Sequence, residues 1–434
     1  MSEPTTNPRI VYVLNQFPSV SETFILEEMT ELAALGFEIY PCALTGPEPR
    51  DPIHAKAEPF MSRLTYRAAP GSAVSAWDWL ATCATSPKGG ASATLVALLH
   101  SLRAPSHAKE LIASLAAACR FAQALQGQQI DHVHAQFGSM PATVGMLLAE
   151  ITGLTFSISL HARDIFTDES IILPTKLMEA EFATVCTQAG MNKLLATQPA
   201  AVHSRIHLVR HGIDLGAFTT GTRRPTREPI IAIIGRLVEK KGHQVLLRAA
   251  EVLRRSRGRF TIAIAGDGPL QPELEAVRDS LGLAHAVTFC GSLAREEIKE
   301  LLQAARCLVV PSIVASDGDR DGLPNVILEA AAVGTPIVGS HVAGIPEFIE
   351  HRDTGLIVEP NNPRELGEAI KAILDDPAGA SAMGERARAK VIKEYDASRN
   401  VLALEAFFRE TIARTARGDV PPETPEREGL TTSE

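Results

Sequence analysis

The sequence predicts an α/β protein built from two doubly wound, parallel-sheet domains. Three observations carry that expectation. The chain has 434 residues, more than one ordinary hydrophobic core accommodates. Short apolar runs alternate throughout with segments of helical spacing, the order that builds parallel strands covered by helices on both faces. The alternation then restarts after a polar, Arg/Thr-rich stretch, TTGTRRPTREP at 219–229, so two Rossmann-like halves are expected.

In the first half, strands are expected at Arg9–Leu14, Phe37–Cys42, Asp131–Ala135 and Thr155–Leu160, with a helix from Phe24 to Leu35 that ends at Gly36. Residues 45–75, rich in Pro, Arg and Glu, read as irregular, and 76–126 as one or more apolar helices. In the second half, strands are expected at Ile230–Ile234, Phe260–Ala265, Val287–Cys290, Cys307–Val310, Pro336–Gly339 and Gly355–Val358. Helices at about 243–256, 270–281 and 295–305 follow from the apolar spacing. The expected domains are 1–205 and 206–395. A helix at 396–416 returns to the N-terminal domain, and a Pro/Glu/Thr-rich tail at 417–434 reads as disordered.

Composition narrows the class. Hydrophobic residues make up 45% and charged residues 21%, the balance of a globular protein. Net charge is -9, which opposes nonspecific binding to nucleic acid. Residues 1–205 hold 13 Lys and Arg against 18 Asp and Glu, so neither half is basic. Six cysteines lie far apart with no CxxC pair, the pattern of buried thiols in a reducing, cytosolic compartment. The start, MSEPTTNPRI, shows no basic-then-apolar leader. The most apolar long window, Met140–Leu160, contains Glu150, Gly145 and Gly153 and reads as helix, turn and strand rather than a membrane span.

The most informative stretch runs from Arg306 to Glu347. A buried strand leads into an acidic loop, IVASDGDRDGLP, that carries Asp321 and opens onto a helix at Pro324. Glu329 follows Asp321 by eight positions. A helix N-terminus at the carboxyl end of a parallel strand suits an anion, and flanking carboxylates suit sugar or ribose hydroxyls. That combination points to a nucleotide-sugar.

GRLVEKKGH (235–243) lies between a strand and a helix. Gly235 permits a tight turn, and Arg236 and Lys241 are placed to neutralise a diphosphate, with Arg able to bind in bidentate fashion; a solvated basic turn is the plainer alternative. AGDGPL (265–270) brings Gly266 and Gly268 after a strand but lacks the third glycine of a dinucleotide fingerprint, which counts against a dehydrogenase. HARD (161–164) places His161 and Asp164 at a strand end, to meet a substrate hydroxyl or to cap a turn. The alternation of HVH (132–134) points both imidazoles to one face, but no carboxylate or cysteine cluster completes a zinc site, so no metal is expected. SVSETF offers Ser19 and Glu22 at capping-box spacing, with Ser21 and Glu22 as acceptor-side candidates. Glu347 in GIPE either orients a donor sugar or starts a surface helix.

With these residues assembled, the chain resembles the retaining glycosyltransferases of family 4, which have the GT-B fold of two Rossmann-like domains facing each other across a cleft. The resemblance covers nearly the whole chain. Its most specific part is D-G-L-P-N-V-I-L-E followed by A-A-A-V-G-T-P-I-V, similar to the family's E-x7-E signature. The resemblance implies that Glu329 holds the nucleotide ribose and that Asp321 occupies the first glutamate's place, one methylene short of the usual reach. It implies diphosphate binding by Arg236 and Lys241 and a donor-sugar contact by His161, with Gly235, Gly266, Gly322, Leu323, Pro324, Asn325 and Glu347 completing the donor set. P-x-x-S-E-T-F (Pro18–Phe24), HVHAQF and HARD look like the branch that builds exopolysaccharide and colanic-acid-type glycans.

The implied reaction moves a sugar from a nucleoside diphosphate sugar to a hydroxyl of a glycan or polyprenyl-linked glycan, with retention and without metal or other cofactor. Three rival readings are an epimerase on the same fold, a phosphorylase, for which no pyridoxal-phosphate lysine site is found, and a catalytically silent nucleotide-sugar-binding assembly subunit. The segment 93–120, apolar with Arg103, Lys109 and Arg120, fits either buried helices or a peripheral contact at the inner face of a membrane.

Overall fold

The structure is a computed structural model that describes residues 7–19, 22–47, 54–68, 72–167, 171–221, 228–256 and 259–418. It divides into two compact units. The first comprises residues up to Val185, Met191–Val209 and those from Val401 on; the second comprises Cys186–Gly190 and Arg210–Asn400. Both are parallel α/β units of Rossmann type, the pair of domains that a GT-B chain contains.

In the first unit seven strands are β1 (Arg9–Gln16), β2 (Glu38–Thr45), β3 (Thr65–Tyr66), β4 (His132–Gln136), β5 (Thr155–Leu160), β6 (Phe182–Val185) and β7 (Ile206–Leu208). Their order is β3-β2-β1-β4-β5-β6-β7. Ile10 stands beside Ile39 on one side and His132 on the other, so the strand order reverses between β1 and β4. Val11, Val13, Val133 and Ile158 are fully buried, as both-face coverage of a parallel sheet requires.

The second unit contributes β8 (Ile230–Ile234), β9 (Thr261–Ala265), β10 (Val287–Gly291), β11 (Cys307–Val310), β12 (Ile337–Ser340) and β13 (Leu356–Val358), in the order β10-β9-β8-β11-β12-β13. Here the order reverses between β8 and β11. In open α/β sheets ligands bind outside the carboxyl ends of the strands at such a reversal. The helix Pro363–Asp375 shows how the sequence closes this sheet. Leu366, Ile370, Ile373 and Leu374 form one buried stripe, and Asn362 caps the start by accepting the Glu365 amide at 3.1 Å, a contact worth about 1 kcal/mol.

Several sequence expectations change. The apolar region 76–126 forms three helices, Ala73–Thr85, Pro87–Arg103 and Ala108–Ala124. Pro87 and Pro105 follow the breaks, because proline starts a helix but cannot continue one. Residues 45–75 include helical turns at Ala55–Met61 and the short β3, while 48–53 and 69–71 lie outside the described residues. The edge strands β6 and β7 complete the first sheet, so 206–209 cluster with the first unit and 186–190 with the second. The terminal helical stretch is broken at Tyr395–Asp396, between the helices Pro377–Glu394 and Ala397–Arg417. Ser19 is not the N-cap of the first helix, Thr23–Ala34; that position is Glu22. The expected disordered tail lies outside the described residues from 419 onward. Among the described residues no helix is long and apolar enough to cross a membrane.

Candidate functional site

The loops after β8, β9 and β10 lean on one another through backbone bonds. The Gly235 amide donates to the Ala265 carbonyl (2.9 Å), the Leu237 amide to the Asp267 carbonyl (2.8 Å) and the Gly266 amide to the Gly291 carbonyl (2.8 Å). Gly266 has φ +134°, and a Cβ there would overlap the Gly235 carbonyl oxygen. Its missing side chain therefore serves the packing of one loop on the next. Gly242, which the sequence reading passed over, is tighter still: φ is +66° and a Cβ would overlap the Pro311 carbonyl oxygen. This close approach lets the Ile313 amide donate to the Lys240 carbonyl at 2.9 Å and sets two lysines beside the acidic loop that follows β11.

Lys241 Nζ lies 2.9 Å from Asp321 Oδ2, and Lys240 Nζ lies 3.0 Å from Asp319 Oδ2 and 3.8 Å from Asp321 Oδ1. The Ser312 hydroxyl donates to Asp321 Oδ2 at 2.7 Å. Burial pushes the Asp321 carboxyl up, but Lys241, Lys240 and the Ser312 hydroxyl together hold it below its ordinary value. The shorter aspartate thus reaches Lys241, and two cations face two carboxylates. Arg236 stands outside this balance. Its side chain is exposed and has no hydrogen bond or ion pair among the described residues.

The helix Asn325–Val333 begins at Pro324 with no side-chain cap and no acid in its first turn, leaving its terminal amides and positive dipole end open to an anion. Seven of its residues are buried; Asn325 and Glu329, one turn apart, are the half-buried pair. The Glu329 carboxyl has no hydrogen-bond partner among the described residues. Burial pushes its pKa up to about 7, with Arg295 partly offsetting the rise. The preceding Gly322 carbonyl accepts the Gly344 amide at 3.0 Å, and Leu323 is half-buried beside it in sequence.

Glu347 is engaged elsewhere. Its two carboxylate oxygens accept the backbone amides of Gln188 and Ala189, each at 2.8 Å. That geometry makes it an anchor for the 186–190 segment and leaves the carboxylate already satisfied.

In the first unit three sequence motifs converge on His161. Phe24 from P-x-x-S-E-T-F and Phe137 from HVHAQF pack in tilted contact, their ring centroids 5.0 and 4.4 Å from that of His161. Within HARD, the His161 amide donates to Asp164 Oδ2 at 2.9 Å. Asp164 Oδ1 also accepts the Ser139 amide at 3.2 Å, so Asp164 is a local brace. On the other side of the ring, Gln136 fixes the tautomer. Its Nε2 donates to Glu28 at 2.7 Å, so its Oε1, 3.0 Å from His161 Nε2, must accept. His161 Nε2 therefore carries a proton. Burial pushes Glu28 up to about 7, although Tyr12 and Gln136 both donate to it. His132 and His134 are buried against Thr155, Ser157 and Ser159, and burial holds His132 down to about 3. Ser21 lies outside the described residues, and Glu22 sits at the N-cap. A cavity of about 410 Å³ lined by Thr82, Gln123, Gln126 and Leu148 shares no residue with either set.

Sequence reasoning missed Lys240, Ser312, Gly242, Glu28 and Gln136. Only Gly242 carried a local signal, as a glycine between two charged residues and a helix start.

Residues 219–390, which span the lysine loop, the acidic loop and Glu329, match the family described as glycosyl transferases group 1. The second unit carries a glycosyltransferase domain. Among curated relatives, the amylovoran biosynthesis glycosyltransferase AmsK of Erwinia amylovora is 31% identical over 235 residues, covering 54% of this chain and 57% of that protein. This chain's match thus spans little more than half of that relative. The putative colanic acid biosynthesis glycosyltransferase WcaL of Escherichia coli K12 is 26% identical over 420 residues, 92% of this chain and 98% of the relative. Among solved structures, Anabaena Alr3699/HepE in complex with UDP and glucose superimposes with a TM-score of 0.68 at 16% identity, covering 93% of this chain and all of that one. A glycosyltransferase from Rickettsia africae gives 0.66, also at 16%, with 94% and 99% covered. The likenesses to these solved structures concern the fold alone.

Proposed function

We propose that the chain is a retaining glycosyltransferase of family 4 that moves a sugar from a nucleoside diphosphate sugar to a hydroxyl of a glycan or polyprenyl-linked glycan in exopolysaccharide synthesis. The observation that supports this most is the composition of the β8–β11 reversal. An unpaired Arg236 and an uncapped helix start supply positive potential where a diphosphate leaves, and an unpartnered Glu329 awaits two hydroxyl donors such as a ribose offers. The names of AmsK and WcaL support the exopolysaccharide setting, and the UDP and glucose held by HepE support the donor class.

In this reading the bond from the anomeric carbon to the diphosphate oxygen breaks as a bond from the acceptor oxygen forms on the same face. The acceptor's proton passes to the departing phosphate oxygen, so no separate base is required. Arg236 meets the diphosphate directly. Lys241 reaches it from its seat against Asp321, whose role is to hold the ammonium in place. His161, its backbone braced by Asp164 and its Nε2 by Gln136, meets the donor sugar through its ring. These groups meet the leaving charge without a divalent ion, so the reaction proceeds in EDTA.

The test is a thermal-shift screen of UDP-, GDP- and ADP-sugars, each beside its free nucleotide, with EDTA present, followed by transfer assays with the donor that binds. Stabilisation by one nucleotide series that Glu329→Ala removes is expected. A donor that binds but is neither hydrolysed nor transferred with any glycan acceptor would favour the assembly-subunit reading. Inversion at the anomeric carbon would reject the retaining mechanism.

A further inference from the structure

We propose that the outer face of the helices Ala73–Thr85 and Pro87–Arg103 docks on an anionic bilayer surface. The two helices run antiparallel: Cys83 packs on Gly90, and the Trp79 indole donates to the Thr94 hydroxyl at 3.1 Å. Each turns its small or polar residues inward. Ser75, Asp78 and Thr82 are buried on the first helix, and Gly90, Ala93 and Ala97 on the second. The large apolar residues point outward. Val74, Trp77 and Leu80 line one side of the first helix, with Trp77 71% exposed; Leu95, Leu98, Leu99 and Leu102 line the second, with Leu102 77% exposed.

This is the reverse of a core-facing helix. The spacing 95, 98, 99, 102 is an amphipathic stripe, but its apolar side meets water. Contiguous exposed apolar surface of this kind marks an interaction site.

Charge selects the occupant. The chain carries -9 overall, yet residues 73–124 hold Lys88, Arg103, Lys109 and Arg120 against Asp78 and Glu110. Asp78 is buried and lies 3.7 Å from Arg120, so the exposed cations Lys88, Arg103 and Lys109 outnumber the acids beside them, Glu110 and Glu150, the latter accepting the Ser92 hydroxyl. The helix 87–103 has no acidic residue at all. Leucines and tryptophans on one face with basic residues beside them are the arrangement of a helix that lies in an anionic interface. A second copy of this chain would bring the same positive rim against itself.

The chain's two tryptophans are Trp77 and Trp79, so its intrinsic tryptophan emission reports on this face. The full chain is titrated with vesicles of phosphatidylglycerol and phosphatidylethanolamine, and separately of phosphatidylcholine, following emission and flotation. A blue shift and co-flotation with the anionic vesicles, weakened by salt, is the expected result. Combining Trp77→Ser, Leu98→Gln and Leu102→Gln should weaken binding at least tenfold without lowering Tm, since all three side chains are exposed. Combining Lys88→Glu, Arg103→Glu and Lys109→Glu should abolish the preference for anionic vesicles. No binding by the wild type, or binding as tight as the wild type's by both variants, overturns the proposal. Reversible self-association that the first variant removes, without vesicle binding, also overturns it and gives the face to a second copy. No nucleotide enters the assay, so its outcome is independent of the transferase reading.

Discussion

If Glu329 holds the ribose, donor affinity must depend on pH in a specific way. An ionised carboxylate accepts both hydroxyls, whereas a protonated one loses part of that capacity. Its pKa is pushed up to about 7, so it is about a tenth ionised at pH 6 and about nine tenths ionised at pH 8. The apparent affinity should therefore rise about tenfold across that window, ~1.4 kcal/mol. At pH 7 binding should release about half a proton. The assay is calorimetry of UDP-glucose, or of whichever sugar nucleotide binds, from pH 6 to 8 in buffers of different ionisation enthalpy. A sugar diphosphate has no terminal phosphate titrating there, so the slope belongs to the protein. Glu329→Gln should flatten it. A flat wild-type profile, or an unchanged slope in the variant, would falsify the assignment of Glu329 to the ribose. Without ligand the same group gives the opposite effect on folding. The folded carboxyl titrates near 7 and the unfolded one near 4.5. Stability falls as pH rises between those values and is level above them. Glu329→Gln should raise Tm at pH 8 and leave it nearly unchanged at pH 4.

Arg236→Ala should weaken donor binding roughly 10- to 100-fold, the loss of a charge-assisted contact of about 1.5–3 kcal/mol, with Tm unchanged because the side chain is exposed and unpaired; calorimetry and a melt check both halves. Asp321→Asn should destabilise the second unit by about 3 kcal/mol or more, read from urea unfolding, because it leaves two ammonium groups facing Asp319 alone. Gly242→Ala should lower Tm and donor affinity together, since the added methyl would displace the loop that seats Lys241. Gln136→Leu should shift the His161 proton between ring nitrogens, visible in its 15N chemical shifts, while leaving nucleotide-induced stabilisation of the second unit in place.

The alternation of strand and helix was readable because a buried parallel strand is a short, continuous apolar run. Thr155–Leu160, Ile230–Ile234 and Cys307–Val310 fall where the sequence places them. The edge strand Ile206–Leu208 was not readable: three residues, two of them half-exposed, carry no such run. The candidate site residues were legible as types, since the spacing from Asp321 to Glu329 spans a loop and one helical turn. Their partnerships were not. Which of Lys240 and Lys241 meets which aspartate depends on how closely Gly242 approaches Pro311, a contact between distant segments. Glu347 lies in the first turn of the helix Ile345–Phe348, as the plainer of its two readings has it, but the amides it accepts belong to residues about 160 positions earlier and leave no local trace. The leucine stripe at 95–102 shows a further limit. Helical spacing reveals that one face is apolar but not whether that face turns inward.

The last helix has a consequence for how this protein can be made. Phe408 is fully buried among Phe37, Phe182, His132 and His134. The first unit to leave the ribosome therefore lacks a piece of its own interior until almost the whole chain has been synthesised. Vectorial folding, in which an N-terminal domain closes while the next is still being translated, is interrupted here. The nascent first unit must wait with an aromatic socket open while some two hundred residues of the second unit, Arg210–Asn400, emerge and fold. A chain cut short before Phe408 would keep that socket open permanently and become a substrate for chaperones and proteases, so that chains extending past Phe408 are the ones that persist.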